Sequence, residues 1–150
     1  MPAFVTFGRI LFAVLFLYSG VAKLLDIPAI TAAIAAKVTI PALLLPYTTQ
    51  VEGITGMATP QMLAIAVGAF EVIAGLMIAF NLAARFFAIL LIFFVAATTF
   101  YFHDFWNQAP PENAKSLVDA LKNLSIIGAL FIIAGVGRRS RTAEPAYGEV

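Results

Sequence analysis

Four long apolar stretches constrain the fold of this chain more than any other feature of its sequence. They occupy residues 4–25, 62–82, 85–102 and 117–136. A helix needs about 20 mostly apolar residues to cross the hydrocarbon core of a bilayer. Because 62% of the 150 residues are hydrophobic and 11% are charged, a water-soluble fold of this length would leave much apolar surface in water. The sequence therefore predicts an all-α protein, with a four-helix transmembrane bundle formed by residues 1–137.

The connections between the predicted spans differ in length. A tight turn separates the second and third spans, so these two should form a helical hairpin. The first and second spans are joined by residues 26–61, in which the alanine-rich stretch 27–38 favours a short helix and the apolar run PALLLPYT is broken by prolines. Segments too short to cross a bilayer are typical of interfacial or re-entrant structure. We therefore expect residues 26–61 to lie over the outer mouth of the bundle as an interfacial or re-entrant helical segment.

The positions of the basic residues predict the orientation of the bundle. Four spans place both termini on one side, and that side holds all the arginines, namely Arg9, Arg85, Arg138, Arg139 and Arg141. The lysines fall toward the opposite side, together with most of the acidic residues. By the positive-inside rule, we expect both termini in the cytoplasm, with residues 138–150 as a cytoplasmic basic tail. Its RRSR cluster would attract anionic lipid headgroups, and nothing in it suggests nucleic acid.

The composition also excludes several kinds of redox chemistry. The chain has no cysteine, which excludes disulfides, iron–sulfur ligation and thiolate metal sites. It has a single histidine, His103, so one chain cannot hold a haem between two histidines. One histidine with scattered carboxylates has no metal-ligand spacing, and no phosphate-binding loop or nucleophile constellation is present. We therefore expect no metal and no intrinsic cofactor, and the chain alone should not be a complete enzyme.

Ionisable residues from three spans are predicted to lie at one depth. Glu71 stands in the otherwise apolar stretch GAFEVIAGLMIAF, 14 positions before Arg85, and Lys23 stands 14 positions after Arg9. At 1.5 Å per residue, both lie about 21 Å above the arginines, and Lys122 lies about 24 Å up. A single charge at the bilayer centre costs roughly 3 kcal/mol on insertion scales, which pairing offsets in part. We therefore predict that Lys23, Glu71 and Lys122 meet in a polar chamber in the outer half of the membrane.

Small residues indicate which helix faces point into the bundle. Gly68 and Gly75 share a stripe with Glu71, and each of the two lysines has a small residue one turn below it. Small residues are typical of places where transmembrane helices approach closely. With two further residues at the rim, the predicted ligand-binding set is Lys23, Glu71, His103, Lys122 and Asn123.

Each of these patterns also has a purely structural interpretation. The charged set is either a binding site or a structural tie that fixes the order of the helices. His103 either caps the third helix near Asp104 or transfers protons. Aromatic pairs recur every seven residues along the third span, at Phe86 and Phe87, Phe93 and Phe94, and Phe100 and Tyr101. These rows either line a slot for an isoprenoid tail or face lipid or a neighbouring subunit.

Four motifs occur in a fixed order along the chain. They are GRILFAVLFLYSGVAKL in the first span, FEVIAGLMI before a short turn and Arg85, FHDFW after the third span, and LKNLSIIGALFIIAGVGR in the last. Together they resemble the DoxX family of small bacterial membrane proteins over about residues 9–137. The resemblance implies a multi-pass protein of the bacterial inner membrane, whose relatives are associated with quinone-linked oxidoreductase complexes and with sulfur or oxidative-stress metabolism. It maps the family's recurring polar positions to Arg9, Lys23, Glu71, Arg85, His103 and Lys122.

Three functional hypotheses follow. The first is a membrane subunit associated with a quinone-linked oxidoreductase complex, which binds a quinone or similar amphiphile through Lys23 and Lys122, while Glu71 and His103 pass protons. The second is a transporter or solute-binding protein for a small anion, and the third is a purely structural accessory subunit. A bound quinone is the one cofactor that these hypotheses admit. The implied partners are the lipid bilayer and either a membrane or redox protein or further copies of this chain.

Overall fold

The structure, a computed structural model, describes residues 3–136. This part of the chain is helical, without a strand, and consists of α1 Ala3–Leu25, α2 Ile27–Lys37, α3 Leu45–Thr55, α4 Thr59–Ala79, α5 Ala84–Phe102 and α6 Glu112–Val136, with 3-10 turns at Ala42–Leu44 and Phe105–Asn107. Helices α1, α4, α5 and α6 are long and apolar enough to cross a membrane. The predicted all-α architecture with four membrane-spanning helices is thereby confirmed, whereas the predicted basic tail lies outside the described residues.

Two of the long helices begin earlier than the apolar stretches predicted. Helix α4 starts at Thr59 and carries Pro60 in its first turn, where a missing N–H leaves no helical hydrogen bond unmade. Helix α6 starts at Glu112, ahead of the apolar stretch that begins at residue 117. Hydropathy detects only the apolar part of a helix, whereas backbone hydrogen bonds continue through polar turns outside it.

The segment between α1 and α4 contains two short helices. The carboxylate of Asp26 accepts a hydrogen bond from the backbone N–H of Ala29 at 3.3 Å, and this N-cap starts α2. The predicted short helix at 27–38 is therefore confirmed. The proline-broken run that follows is more helical than predicted, because Pro46 falls in the first turn of α3, where proline is tolerated.

A carboxylate fastens α3 to the start of α4. Glu52 Oε1 accepts hydrogen bonds from the hydroxyl and the backbone N–H of Thr59, each at 2.6 Å. These two hydrogen bonds, that from the hydroxyl first, hold the pKa of Glu52 below its ordinary value. Gly56, with φ of 69°, ends α3 in the left-handed conformation that glycine adopts readily. The two helices are thus joined by a tight connection with its own polar contacts.

Helices α1 and α4 pack closely through glycines. Gly20 of α1 and Gly68 and Gly75 of α4 are all buried. A Cβ at Gly20 would lie 2.7 Å from the carbonyl oxygen of Gly68 and 2.9 Å from the Cβ of Glu71. No side chain fits into that space, so the two backbones approach as the small-residue stripe predicted.

Helix α6 packs against α5 through large apolar residues instead. Leu130 is fully buried and joins Leu91 and Val95 of α5 in the core of the bundle. A Cβ at Gly128 or Gly135 would meet no atom of the described chain within 4 Å. The prediction that the small residues of the last span face inward is therefore wrong, because α6 turns its leucine and isoleucine side to the bundle and its glycines outward.

The aromatic rows of α5 separate into an outer and an inner row. Phe86, Phe93 and Phe100 are exposed on the surface of the bundle. Phe87 and Phe94 are half-buried and pack against the core. The outer row matches the interpretation in which it faces lipid or a neighbouring subunit.

The orientation of the bundle is a prediction that cysteine labelling tests, because the chain contains no cysteine of its own. We expect Gly53→Cys, on exposed α3, to react with a membrane-impermeant maleimide in right-side-out membrane vesicles. Ser140→Cys should react only after the vesicles are permeabilised. The reverse labelling pattern would contradict cytoplasmic termini.

The close approach of α1 and α4 predicts that Gly20→Ala lowers the free energy of unfolding by about 1–3 kcal/mol through overpacking. Gly128→Ala is the matched control, because it brings the same gain in helix propensity at a position with open space. Reversible unfolding in mixed detergent micelles measures both variants. Equal stabilities for the two would show that α1 and α4 are not in close contact.

Candidate ligand-binding cavity

A cavity of about 600 Å³, partly open to the surface, lies between α1, α2, α4, α5 and α6. Helix α2 contributes its apolar roof through Ile30 and Ile34, and Phe16, Val67 and Phe94 are among the apolar walls. The polar side chains in its lining are few, and they are Ser19, Lys23, Glu71, Thr98, Tyr101, His103 and Asn123. Mostly apolar walls with a few polar groups are typical of small-molecule sites.

An ion pair across α1 and α4 lies in this lining. Lys23 Nζ is 2.9 Å from Glu71 Oε1 and 3.0 Å from Oε2, so the ammonium bridges both oxygens. The Glu71 side chain is 3% exposed, whereas that of Lys23 is 26% exposed. Lys23 also donates a hydrogen bond to the hydroxyl of Ser19, one helical turn earlier. The predicted meeting of Lys23 and Glu71 is confirmed.

The glycine contact explains why the two charges reach each other. Gly20 follows Ser19 and precedes Lys23 on one face of α1, and its backbone lies directly against Glu71 and Gly68. Any side chain at this position would push the helices apart at the level of the ion pair. The sequence thus places the ion pair beside the residue that allows the closest approach of the two backbones.

Three protons of the Lys23 ammonium meet three acceptors, namely the two Glu71 oxygens and the Ser19 hydroxyl. Because the Ser19 oxygen accepts a hydrogen bond from a cation, its own O–H is left to donate. The ion pair therefore offers the cavity a polarised hydroxyl, rather than a bare ammonium.

Two residues at the rim lie in the lining, as the sequence predicted, although ligand binding by either stays a prediction. Asn123 of α6 donates an amide hydrogen bond to the hydroxyl of Thr99 at 2.9 Å. His103 is half-buried and forms the C-cap of α5, because its backbone N–H donates to the carbonyl of Thr99 at 2.9 Å. The capping interpretation of His103 is thus confirmed for its backbone, and the residue borders the cavity.

Lys122 does not join the cluster, so the prediction that it meets Glu71 is wrong. Its side chain is 68% exposed and pairs with Asp119 at 3.0 Å, three positions earlier on α6. The depth of a residue along a helix does not determine the direction in which it points, and neighbouring positions diverge by about 100° around the axis. It is therefore Asn123, and not Lys122, that α6 turns into the lining.

A polar network ties the roof of the cavity to the far side of the bundle. Lys37, at the end of α2, lies 3.1 Å from Asp104 Oδ1, which also accepts a hydrogen bond from the Gln108 amide at 2.9 Å. Ser116 of α6 in turn donates to Gln108 Oε1 at 2.6 Å. These contacts join α2, the turn after α5 and the start of α6, so they hold α2 over the cavity.

Sequence reasoning missed this network and the lining role of Tyr101. The pairing of Lys37 with Asp104 spans 67 positions, and no local pattern marks two solvent-side charges as partners. Tyr101 stands in a row of aromatic residues, and that row gave no signal that this member borders the cavity.

No group of three or more histidine, cysteine, aspartate or glutamate side chains suited to a metal ion occurs within residues 3–136. The chemistry available in the cavity is hydrogen bonding and proton transfer. Donors are the Ser19 hydroxyl, the Tyr101 phenol and the Asn123 amide, and the titratable groups are Glu71, Lys23 and His103.

The sequence of the chain matches a known protein family. The sequence model of the DoxX family matches residues 4–104, which include α1 to α5 and most of the cavity lining. No curated protein and no solved structure matches the chain.

Removing the two members of the ion pair should have unequal and non-additive effects on the free energy of unfolding. Lys23→Met should lower the free energy of unfolding by about 3 kcal/mol or more, because it strands a buried carboxylate. Glu71→Gln should lower the free energy of unfolding by less, because the Lys23 amine is partly exposed and keeps its hydrogen bond to Ser19. The double variant should cost less than the sum of the two, with a coupling of at least ~1 kcal/mol.

Lys122→Met is the matched control for these variants, because it removes an exposed pair worth at most about 1 kcal/mol. Reversible unfolding in mixed detergent micelles measures the free energy of unfolding of the wild type, the two single variants, the double variant and the control. Strictly additive effects of K23M and E71Q would contradict a direct interaction.

Proposed function

The chain belongs to the DoxX family, and we propose that it is an integral membrane subunit associated with a quinone-linked oxidoreductase complex, in which it binds a quinone or a similar small amphiphile. The observation that carries the proposal is the cavity of about 600 Å³, whose apolar walls surround an internally neutralised ion pair. The family and the four apolar helices make the chain a multi-pass membrane protein, and location in the bacterial inner membrane is part of the proposal.

The shape and chemistry of the cavity suit a flat, uncharged head with carbonyl oxygens. Its volume falls within the range of about 300–1,000 Å³ that is common for small-molecule pockets. The Ser19 hydroxyl, polarised by Lys23, would donate to one carbonyl oxygen. Because Lys122 points outward, the second donor would come from Asn123 or Tyr101 in the lining.

Proton transfer would use two of the titratable groups in the lining, His103 and Glu71. Reduction of a quinone to a quinol takes up two electrons and two protons. His103, half-buried in the lining, would exchange protons with water outside. Glu71, buried and paired with Lys23, would hold or release a proton further inside. The electrons would come from a partner protein, because the sequence has no cysteine and one histidine.

The charge of the site favours a neutral amphiphile over a small anion. Lys23 and Glu71 together carry no net charge, and the ammonium already bridges both carboxylate oxygens. An anion would have to displace Glu71 or approach its carboxylate, which like-charge repulsion disfavours. The outer phenylalanine row on α5 offers an apolar surface that either lipid or a partner subunit would cover.

Titration of the purified protein with a short-chain quinone tests the proposal. The chain has one tryptophan, Trp106, in the turn after α5, and a quinone bound nearby should quench its fluorescence. Ser19→Ala removes one hydrogen bond and should raise Kd about tenfold. Ala33→Phe should also weaken binding, because it fills the cavity from the roof.

Lys122→Met serves as the control that should leave Kd unchanged, because Lys122 lies outside the lining. The same Kd in wild type, S19A and A33F would contradict binding in this cavity. The absence of saturable quenching in the wild type would remove the quinone proposal and favour a purely structural subunit.

A further inference from the structure

A second, smaller cavity of about 230 Å³ lies between α1 and α6, at the end of the bundle where α1 begins. Its walls are mostly apolar and include Val5, Phe12 and Ile133, while Arg9 and Asn81 are its polar members. Like the larger cavity, it is partly open to the surface. Among the described residues the two linings share no member, and nothing in the proposed quinone chemistry uses the smaller cavity.

The two cavities follow each other along one face of α1. Phe12 lines the smaller cavity, and Phe16, one turn later, lines the larger one. The rings of these two residues are in contact, with their centroids 5.5 Å apart. Residues three or four positions apart lie on the same face of a helix. This spacing continues from one lining to the next through Val5, Gly8, Phe12, Leu15, Ser19 and Lys23.

Helix α6 repeats this arrangement. Asn123 and Ile126 line the larger cavity, whereas Ala129 and Ile132 line the smaller one. These four residues stand at intervals of three, so they form one row along the helix. The two cavities therefore lie end to end along one seam, between α1 and α6.

The other three seams of the bundle are held by packing. Helices α1 and α4 meet at Gly20, where no side chain fits. Helices α4 and α5 meet through the rings of Phe70 and Phe94, whose centroids are 5.4 Å apart, and α5 and α6 meet at Leu91 and Leu130 in the core. Among the described helices, α1 and α6 are not a closely packed pair. Their seam is therefore the loosest of the four.

The length and walls of this seam suit a hydrocarbon chain. The lining residues Val5 and Ser19 stand 14 positions apart, which is about 21 Å along α1. Ile132 is largely exposed at the side of the bundle, and a Cβ at Gly8 would meet no atom of the described chain within 4 Å. The seam thus offers a long, mostly apolar space that is open toward lipid.

We infer that the ligand of the larger cavity is a long-tailed amphiphile, whose head lies beside Ser19 and whose tail runs along the seam between α1 and α6 toward Gly8. This inference rests on the proposed function, because it takes the head to be that of the quinone or similar amphiphile. Lipid chains are as apolar as the seam, so the tail is held by close packing against α1 and α6. The open side of the seam lets the tail enter sideways from the bilayer.

Two quinones with the same ring test this inference, one with a single isoprene unit and one with four. Quenching of Trp106 in mixed detergent micelles gives Kd for both at equal mole fractions. Gly8→Leu fills the seam 11 positions before Ser19, about 17 Å away along α1, beyond the reach of the short tail. We expect G8L to raise Kd of the four-unit quinone about tenfold, because the tail loses its place. Kd of the one-unit quinone should stay unchanged.

Neighbouring positions of α6 supply a second variant and its control. Ala129→Leu fills the same seam from α6 and should act as Gly8→Leu does. Gly128→Leu places that side chain at an open position outside both linings, so both Kd values should stay as in the wild type.

Equal effects of G8L on the two quinones, or an effect on neither, would overturn the inference and leave the proposed function intact. If G8L also formed a smaller oligomer by light scattering while both Kd values stayed unchanged, the seam would belong to a second copy of the chain. Absence of saturable quenching by either quinone in the wild type would overturn the proposed function, and this inference with it.

Discussion

The ion pair between Lys23 and Glu71 is the interaction on which the rest of this structure depends. A carboxylate that is 3% exposed within an apolar helix is tolerable only if a cation reaches it, and the cation here comes from a different helix. The contact requires α1 and α4 to approach at Gly20 and Gly68, where no side chain fits. Close packing and charge neutralisation are therefore one structural feature. Each would be lost without the other, because a wider separation would leave both charges unpaired in a region of low dielectric constant.

This coupling also determines the character of the larger cavity. A lone ammonium in an apolar cavity would attract anions, whereas a bridged and neutral ion pair presents a polarised hydroxyl to a mostly apolar space. Helix α2 covers that space and is held by Lys37, Asp104 and the Gln108 network.

Much of the architecture could be predicted from the sequence, because bilayer thickness and hydropathy leave few alternatives. The four spans, the short helix at 27–38 and the pairing of Lys23 with Glu71 follow from apolar length, alanine content and matching depth. Two of the failures concern rotation of α6, because neither depth along a helix nor a row of small residues determines which face the helix turns inward. Lys122 points outward, while its neighbour Asn123 lies in the cavity lining. The small residues of the last span were expected to face inward, yet Gly128 meets open space and α6 packs through Leu130 instead. Contacts between distant solvent-side charges, such as Lys37 and Asp104, leave no local pattern at all.

The most direct test of this account is the distance between Lys23 Nζ and the Glu71 carboxyl carbon in a lipid bilayer. Solid-state NMR with dipolar recoupling measures it on protein labelled with ¹⁵N in lysine and ¹³C in glutamate, and the Glu71→Gln variant assigns the signal. The account predicts a separation within about 4 Å, as expected for a direct ion pair. Absence of that coupling, together with contact of the Glu71 carboxyl with lipid acyl protons, would contradict it.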